Sequence, residues 1–152
     1  MKLTILRHAA TEPNSITGKD FDRKLKNEGR HQCHKLRKYF EPLCFQSVWC
    51  SSALRTKETA QLILTDKHPR PLFFDEVYLA TNEDLLQKIW DDCPNGDLLL
   101  LGHNPGISRL AAYSIEEPFI LDTGELIHIE FEVDTWTELT RGTGTIVDRY
   151  RP

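Results

Sequence analysis

Two short apolar runs, each ending in a histidine, constrain the fold of this chain most strongly. In LTILRH, Arg7 and His8 follow apolar residues 3–6, and in LLLLGHNPG, His103 follows the leucines of 98–101. A short, continuous apolar run is typical of a strand buried on both faces. Because the carboxyl ends of neighbouring strands in an open α/β sheet border one crevice, we expect these side chains to share a rim.

The remaining pattern alternates strands with helices. Strands are predicted at 3–6, 47–50, 97–101, 127–133 and 143–147, and helices at 27–40, 52–64, 82–90 and 106–113. We expect serines to cap the second helix, Asn82 to cap the third, and His128 to lie on a solvent-exposed strand face. The pattern predicts a three-layer α/β/α fold, with a mainly parallel sheet and an antiparallel strand near the C-terminal end, formed by residues 1–152 as a single domain.

Composition excludes several classes of protein. Lys and Arg number 19 against 23 Asp and Glu, so the net charge of −4 argues against nucleic-acid binding. The four cysteines form no CxxC pair, which favours a reduced, cytoplasmic protein over a disulfide framework. No segment reaches the roughly 20 apolar residues that span a bilayer, and the apolar run before Arg7 is too short for a signal peptide.

The segment RHAATEPN, residues 7–14, carries the first candidate chemistry. A neutral histidine at a strand end can attack phosphorus, and neighbouring arginines hold the phosphoryl oxygens while disfavouring the imidazolium. Asn14 can donate a further hydrogen bond to the anion. Taken alone, His8 is better explained as a strand-end histidine whose proton is satisfied locally.

Two later segments strengthen this interpretation. In SSALRTKETA, Arg55 falls in the first turns after a strand, where its guanidinium can bind two phosphoryl oxygens at once. In GHNPG, Gly102 permits close backbone approach, and a charged His103 would stabilise a pentacoordinate transition state. Taken alone, Arg55 is better explained as a solvated helix arginine paired with Glu58 or Thr59, and His103 also fits a turn histidine without a role.

Together these segments resemble the histidine phosphatase superfamily, which includes phosphoglycerate mutases and SixA-type phosphohistidine phosphatases. Its R-H-G-x-T-x-x-N pattern matches Arg7, His8, Thr11 and Asn14, with Ala9 in place of the usual glycine. Its later elements match the residues Asp22, Leu25, Gly29, Ser51, Arg55, Thr59, Ala60 and His103. The resemblance implies a phosphoglycerate mutase-like fold and a metal-independent phosphatase without a cofactor.

The resemblance also implies roles for individual residues. His8 is the nucleophile that becomes phosphorylated, and Arg7, Arg55 and His103 complete the phosphate pocket. Asn14 and Arg23 lie at its edge as substrate-binding residues.

His31 and His34, with Cys33 between them, have a spacing that can bind metal, but they are better explained as solvated helix residues.

Residues 73–86 and the closing GTGTIVDRYRP resemble the short, SixA-type branch, which predicts phosphohistidine in proteins as the substrate. The glutamate that protonates the leaving group in mutase-like members has no clear counterpart, and Glu12, Glu76 and Glu83 remain candidates.

Two alternative functions stay open. One is a phosphatase of a small phosphorylated metabolite, such as a sugar or nucleotide phosphate, and the other is a non-catalytic module that binds a phosphorylated ligand.

Overall fold

The computed structural model describes residues 1–152 and contains one six-stranded sheet with four α-helices. The strands are β1 (Lys2–Arg7), β2 (Ser47–Ser51), β3 (Leu72–Phe74), β4 (Leu98–Gly102), β5 (Leu126–Phe131) and β6 (Gly144–Tyr150). The helices are α1 (Asn27–Phe40), α2 (Leu54–Ile63), α3 (Asn82–Asp92) and α4 (Gly106–Ile115). None of these helices is both long enough and apolar enough to cross a membrane.

The sheet places the two histidine-bearing strands side by side. Its strand order is β3-β2-β4-β1-β5-β6. β1 pairs in parallel with β4, and β2 pairs in parallel with both β4 and β3. β5 runs antiparallel to β1 and to β6. The predicted mainly parallel sheet with an antiparallel strand near the C-terminal end is therefore confirmed.

Alternate residues of the central strands feed two separate cores. Leu98 and Leu100 pack in a cluster with residues of α3 and α4, whereas Leu99 and Leu101 pack in a cluster with residues of α1 and α2. Two helices thus cover each face of the sheet, which confirms the three-layer arrangement. This double coverage explains why the leucine run of β4 shows no polar alternation.

The sequence pattern locates most elements but misses β3 and assigns the wrong caps to two helices. β3 has only three residues, and two of them, Leu72 and Phe73, are exposed at the edge of the sheet. α2 begins at Leu54 after Ala53, without a side-chain cap, so the predicted serine caps are wrong. Thr81, rather than Asn82, caps α3 through a reciprocal pair of hydrogen bonds with Asp84.

The prediction that His128 faces solvent is also wrong. Its ring is buried, with Nδ1 lying 2.7 Å from Thr4 Oγ1 and Nε2 lying 3.1 Å from Tyr39 Oη. Tyr39, at the end of α1, covers this face of β5 and also stacks on Tyr150 of β6. A local alternation of polar and apolar residues cannot reveal such a cover, because the covering side chains come from distant parts of the chain.

Candidate active site

A polar cavity lies at the carboxyl ends of β1, β2 and β4. We call it the rim pocket; its volume is about 390 Å³, and its lining includes Arg7, His8, Asp20, Arg23, Arg55 and His103. The structure therefore brings the four residues of the predicted phosphate pocket together, along with Arg23. Three larger cavities, of about 660, 510 and 400 Å³, contain none of these residues.

His8 is held with one ring nitrogen bonded and the other available. Its backbone N–H donates to Gly102 O at 3.2 Å, which fixes the residue between the ends of β1 and β4. Its Nδ1 lies 2.8 Å from Ala9 O and so carries the proton, leaving the lone pair on Nε2. Burial, together with the charges of Arg55 and Arg7, lowers the His8 pKa to about 4, against the opposing effect of the Ala9 bond. His8 is therefore a neutral imidazole at pH 7.

His103 stands opposite His8, with 5.1 Å between the two ring centroids. Arg55 Nε donates to its Nδ1 at 3.2 Å, so the ring proton is on Nε2 and is donated to Ser51 Oγ at 2.7 Å. Burial, followed by the nearby His8 and Arg55, lowers the His103 pKa to about 2. In this arrangement His103 is neutral, and the predicted charged form does not hold.

Arg55 lies in the first turn of α2 and is only 3% exposed. Besides bonding His103, it donates from Nη1 to Asp20 O at 2.7 Å and from Nη2 to Asp20 Oδ2 at 3.0 Å. A guanidinium carries five N–H donors, so two remain free for an anion. Glu58, the partner expected of a solvated Arg55, instead accepts the backbone N–H of Leu25 at 2.7 Å.

Arg7 supplies a buried donor that lacks a partner in the protein. Its Nη1 donates to Leu121 O at 2.9 Å, which anchors the guanidinium, while Nε is buried without any hydrogen bond. Buried polar groups are nearly always satisfied, so an unpartnered donor in a residue of the pocket lining calls for an acceptor from outside the protein. Since the unmatched group is cationic, an anion fits it best.

The two residues predicted for the pocket edge have different positions. Arg23 lines the rim pocket, where its Nη1 donates to Asp20 Oδ1 at 2.9 Å and its Nε donates to Glu12 O at 2.8 Å. Asn14 is exposed and does not line the rim pocket. It lines a small adjoining cavity of about 160 Å³ that also includes Asp20 and Arg23.

None of the three candidate proton donors lines the rim pocket. Glu76 instead forms an ion pair with Lys88 at 3.0 Å, and Glu12 and Glu83 are exposed. The carboxylates that do line the pocket are Asp20 and Glu28, and Glu28 is paired with Lys26.

Sequence reasoning missed Asp20 and Tyr78, and it named Ser51 only as part of a family motif, without a role. Tyr78 Oη donates to Asp20 Oδ2 at 2.8 Å, and its ring stands edge-on to His103 with 5.5 Å between centroids. The Arg55 guanidinium lies 5.6 Å from the centroid of the same ring. Only Asp20 had a usable signal, since it stands three residues before Arg23 in a long loop, and long loops in compact domains are often functional.

No group of three or more His, Cys, Asp or Glu side chains is arranged to hold a metal ion. His31 and His34 are exposed on α1, as expected of solvated helix residues. Cys33, between them, is buried in the core.

Comparisons with known proteins find a matching sequence profile and structures of the same fold. The sequence profile of the histidine phosphatase superfamily (branch 1) matches residues 3–76. A structure under the name phosphohistidine phosphatase SixA, from Nakamurella multipartitia, superposes with a TM-score of 0.85 at 18% identity, covering 99% of this chain and 95% of that one.

Two further structures have the same fold. The protein histidine phosphatase SixA complexed with tungstate gives a TM-score of 0.77 at 17% identity, covering 98% of this chain and 96% of that chain. Phosphoserine phosphatase from Entamoeba histolytica, in complex with 3-phosphoglyceric acid, gives a TM-score of 0.69 at 16% identity, covering 99% of this chain and 97% of that chain. A search of curated protein sequences finds no significant match. The superfamily profile thus matches just under half of the chain, residues 3–76, and over nearly the whole length the chain has the fold of the SixA structures.

Proposed function

We propose that this protein is a metal-independent phosphatase that works through a phosphohistidine intermediate on His8 and removes phosphate from phosphohistidine in other proteins. The observation that carries the proposal is the state of His8. Its ring is neutral, Nδ1 is occupied by Ala9 O, and Nε2 is free within a pocket that holds Arg7, Arg23 and Arg55.

The arginines fit the charge of a phosphoryl group. The unpartnered Arg7 Nε and the two free N–H groups of Arg55 can bind equatorial oxygens of the transition state. Donors that are already positioned stabilise developing charge without reorganisation, and such preorganisation is usually the largest contribution to catalysis. His103 contributes a neutral ring beside this site, oriented by Arg55 and Ser51.

The first chemical step balances without an added acid. His8 Nε2 forms a bond to phosphorus as the bond from phosphorus to the substrate nitrogen breaks. The substrate imidazole, protonated on its other nitrogen, takes the electron pair and leaves as neutral histidine. The His8 ring becomes a phosphoimidazolium whose Nδ1–H remains bonded to Ala9 O. In the second step water attacks phosphorus, His8 recovers its lone pair, and dihydrogen phosphate leaves.

The carboxylates in the pocket favour this substrate class over phosphate esters. An alkoxide is a poor leaving group and gains typically 10²–10⁴-fold from a positioned acid. Asp20 has a pKa well below its usual range, mainly because Arg23 bonds it, so it holds no proton to give. A protonated phosphohistidine needs no such donor. The SixA structures of the same fold support phosphohistidine as the substrate. Because phosphoserine phosphatase has this fold too, a small phosphomonoester is the alternative substrate to test.

The test compares phosphate release from a histidine-phosphorylated protein and from para-nitrophenyl phosphate, with EDTA present throughout. We expect a kcat/KM that clearly favours phosphohistidine, and no turnover of either substrate by His8→Ala. His34→Ala removes an exposed histidine on α1 and serves as the matched control with full activity.

Three outcomes would contradict the proposal. A preference for the phosphomonoester would indicate that the protein is a phosphatase of small phosphorylated metabolites. Loss of activity in EDTA would exclude the metal-independent route. Tight binding of phosphohistidine without phosphate release would indicate a binding module.

A further inference from the structure

Asp20 lies at the mouth of the rim pocket, above the two histidines. Its side chain is 47% exposed, whereas His8 is 8% and His103 is 4% exposed. Arg55 bonds both its backbone carbonyl and its carboxylate, and this fastens the loop between β1 and α1 to the first turn of α2. The mouth of the pocket therefore carries a fixed carboxylate, while its floor carries the nucleophile.

The Asp20 carboxylate can accept a hydrogen bond, but it carries no proton that it could donate. Arg23 first, and Tyr78 and Arg55 with it, keep the carboxylate ionised by lowering its pKa well below the usual range, although partial burial acts the other way. An ionised carboxylate has two oxygens with about four lone-pair sites. Arg23 takes a site on Oδ1, and Arg55 and Tyr78 take sites on Oδ2. About one site is left for a donor from outside the protein.

An in-line displacement directs the leaving group toward this site. The nucleophile and the leaving group lie on opposite sides of the transferred phosphorus. Because His8 attacks from the buried floor, the departing group lies on the side of the exposed mouth, where Asp20 is. Glu28, the other carboxylate of the lining, is engaged by Lys26 at 2.6 Å.

We infer that Asp20 recognises the substrate's imidazole, accepting a hydrogen bond from the ring N–H that is not attached to phosphorus, and so selects phosphohistidine over phosphate esters. This inference rests on the proposed function. Asp20 would accept a hydrogen bond from the substrate ring, just as Ala9 O accepts one from His8. In each ring the donor is the nitrogen that is not bonded to phosphorus. The two imidazoles between which the phosphoryl group passes are thus held in matching protonation states.

The carboxylate acts on the substrate through charge as well as hydrogen bonding. An opposite charge within about 4–6 Å stabilises a protonated imidazole and raises its pKa by about 1–3 units. The protonated form leaves as neutral histidine, so Asp20 increases the fraction of bound substrate that is ready to react. A phosphomonoester has no ring N–H to donate and no positive ring, so it gains nothing from the carboxylate, whose repulsion of the phosphoryl group acts on both substrates.

The test is the ratio of kcat/KM values for two substrates in Asp20→Asn. We expect kcat/KM for a histidine-phosphorylated protein to fall about tenfold or more, which corresponds to losing one pKa unit of stabilisation on the substrate ring. We expect kcat/KM for para-nitrophenyl phosphate to stay unchanged or rise. Asp20→Ala should change the ratio in the same direction, since in both variants the backbone carbonyl still accepts from Arg55.

Asp22→Asn is the matched control, because Asp22 is in the same loop, bonds Thr17 and does not line the rim pocket. It should leave both kcat/KM values unchanged. An equal fall for both substrates in Asp20→Asn would mean that Asp20 only positions the arginines. An equal rise would mean that it only competes with phosphate for them. Either result, or no change, overturns the inference while the proposed function stands. A wild-type protein inactive on phosphohistidine overturns both.

Discussion

Four histidines of this protein are buried, and they fall into two pairs with different surroundings. His68 and His128 have both ring nitrogens bonded inside the protein. His68 bonds Thr65 and Phe40 O, whereas His128 bonds Thr4 and Tyr39. His8 has only one bonded nitrogen. His103 has both nitrogens bonded, to Arg55 and Ser51, but Arg55 has donors to spare.

The difference shows that burial does not by itself distinguish a catalytic histidine from a structural one. The distinguishing features are the unused ring nitrogen of His8 and, beside both His8 and His103, cations without full partners. In the rim pocket these are His8 Nε2, Arg7 Nε and the free N–H groups of Arg55. The protein leaves these groups incomplete where a phosphoryl group can complete them, and it satisfies the buried histidines elsewhere.

The largest expected contrast is between His103→Ala and His128→Ala. Removing a preorganised group beside developing charge typically costs about 10²–10³ in kcat, so we expect a loss of that size for His103→Ala. For His128→Ala we expect kcat within about twofold. Its free energy of unfolding should fall by about 1–3 kcal/mol, because Thr4 Oγ1 and Tyr39 Oη lose a partner in a buried network.

Steady-state kinetics and urea unfolding of both variants measure this contrast. A His128→Ala variant that stays fully stable but loses turnover would reverse the assignment of the two histidines.

A smaller effect concerns the ionisation of His8. Its pKa is lowered to about 4 in the folded protein, whereas an ordinary histidine titrates near 6.5. Between these values the unfolded chain binds a proton that the folded protein does not, so His8 stabilises the fold above pH 6.5 and loses that contribution as the pH falls toward 4. A ring NMR signal that is absent in His8→Ala should titrate near pH 4. A midpoint near 6.5 would mean that the arginines and burial do not keep His8 neutral.

Sequence patterns predict those parts of the molecule that depend on local periodicity. The ends of α1 follow from the apolar positions Cys33, Leu36 and Phe40, and the strand ends at Arg7 and Gly102 follow from uninterrupted apolar runs. That β1 and β4 end at the same edge of the sheet follows from the parallel arrangement expected of alternating α/β chains. These features are enough to predict that His8 and His103 lie at one rim.

The remaining features depend on contacts between distant parts of the chain. Asp20 and Arg55 are 35 positions apart, and no periodicity links a loop carboxylate to a helix arginine. The burial of His128 depends on Tyr39, 89 positions away, and the neutral state of His103 depends on the direction in which Arg55 Nε points. β3 escapes prediction because three partly exposed residues carry no pattern of their own.

The measurement that tests the central claim most directly is the capture of the phosphorylated enzyme. The protein is mixed with a histidine-phosphorylated substrate, quenched in alkali within milliseconds, and digested for mass spectrometry. We predict a phosphoryl group on His8, stable in alkali and lost in acid, which is absent in His8→Ala and unchanged in His34→Ala. A phosphoryl group on another residue, or full turnover by His8→Ala, would contradict the account.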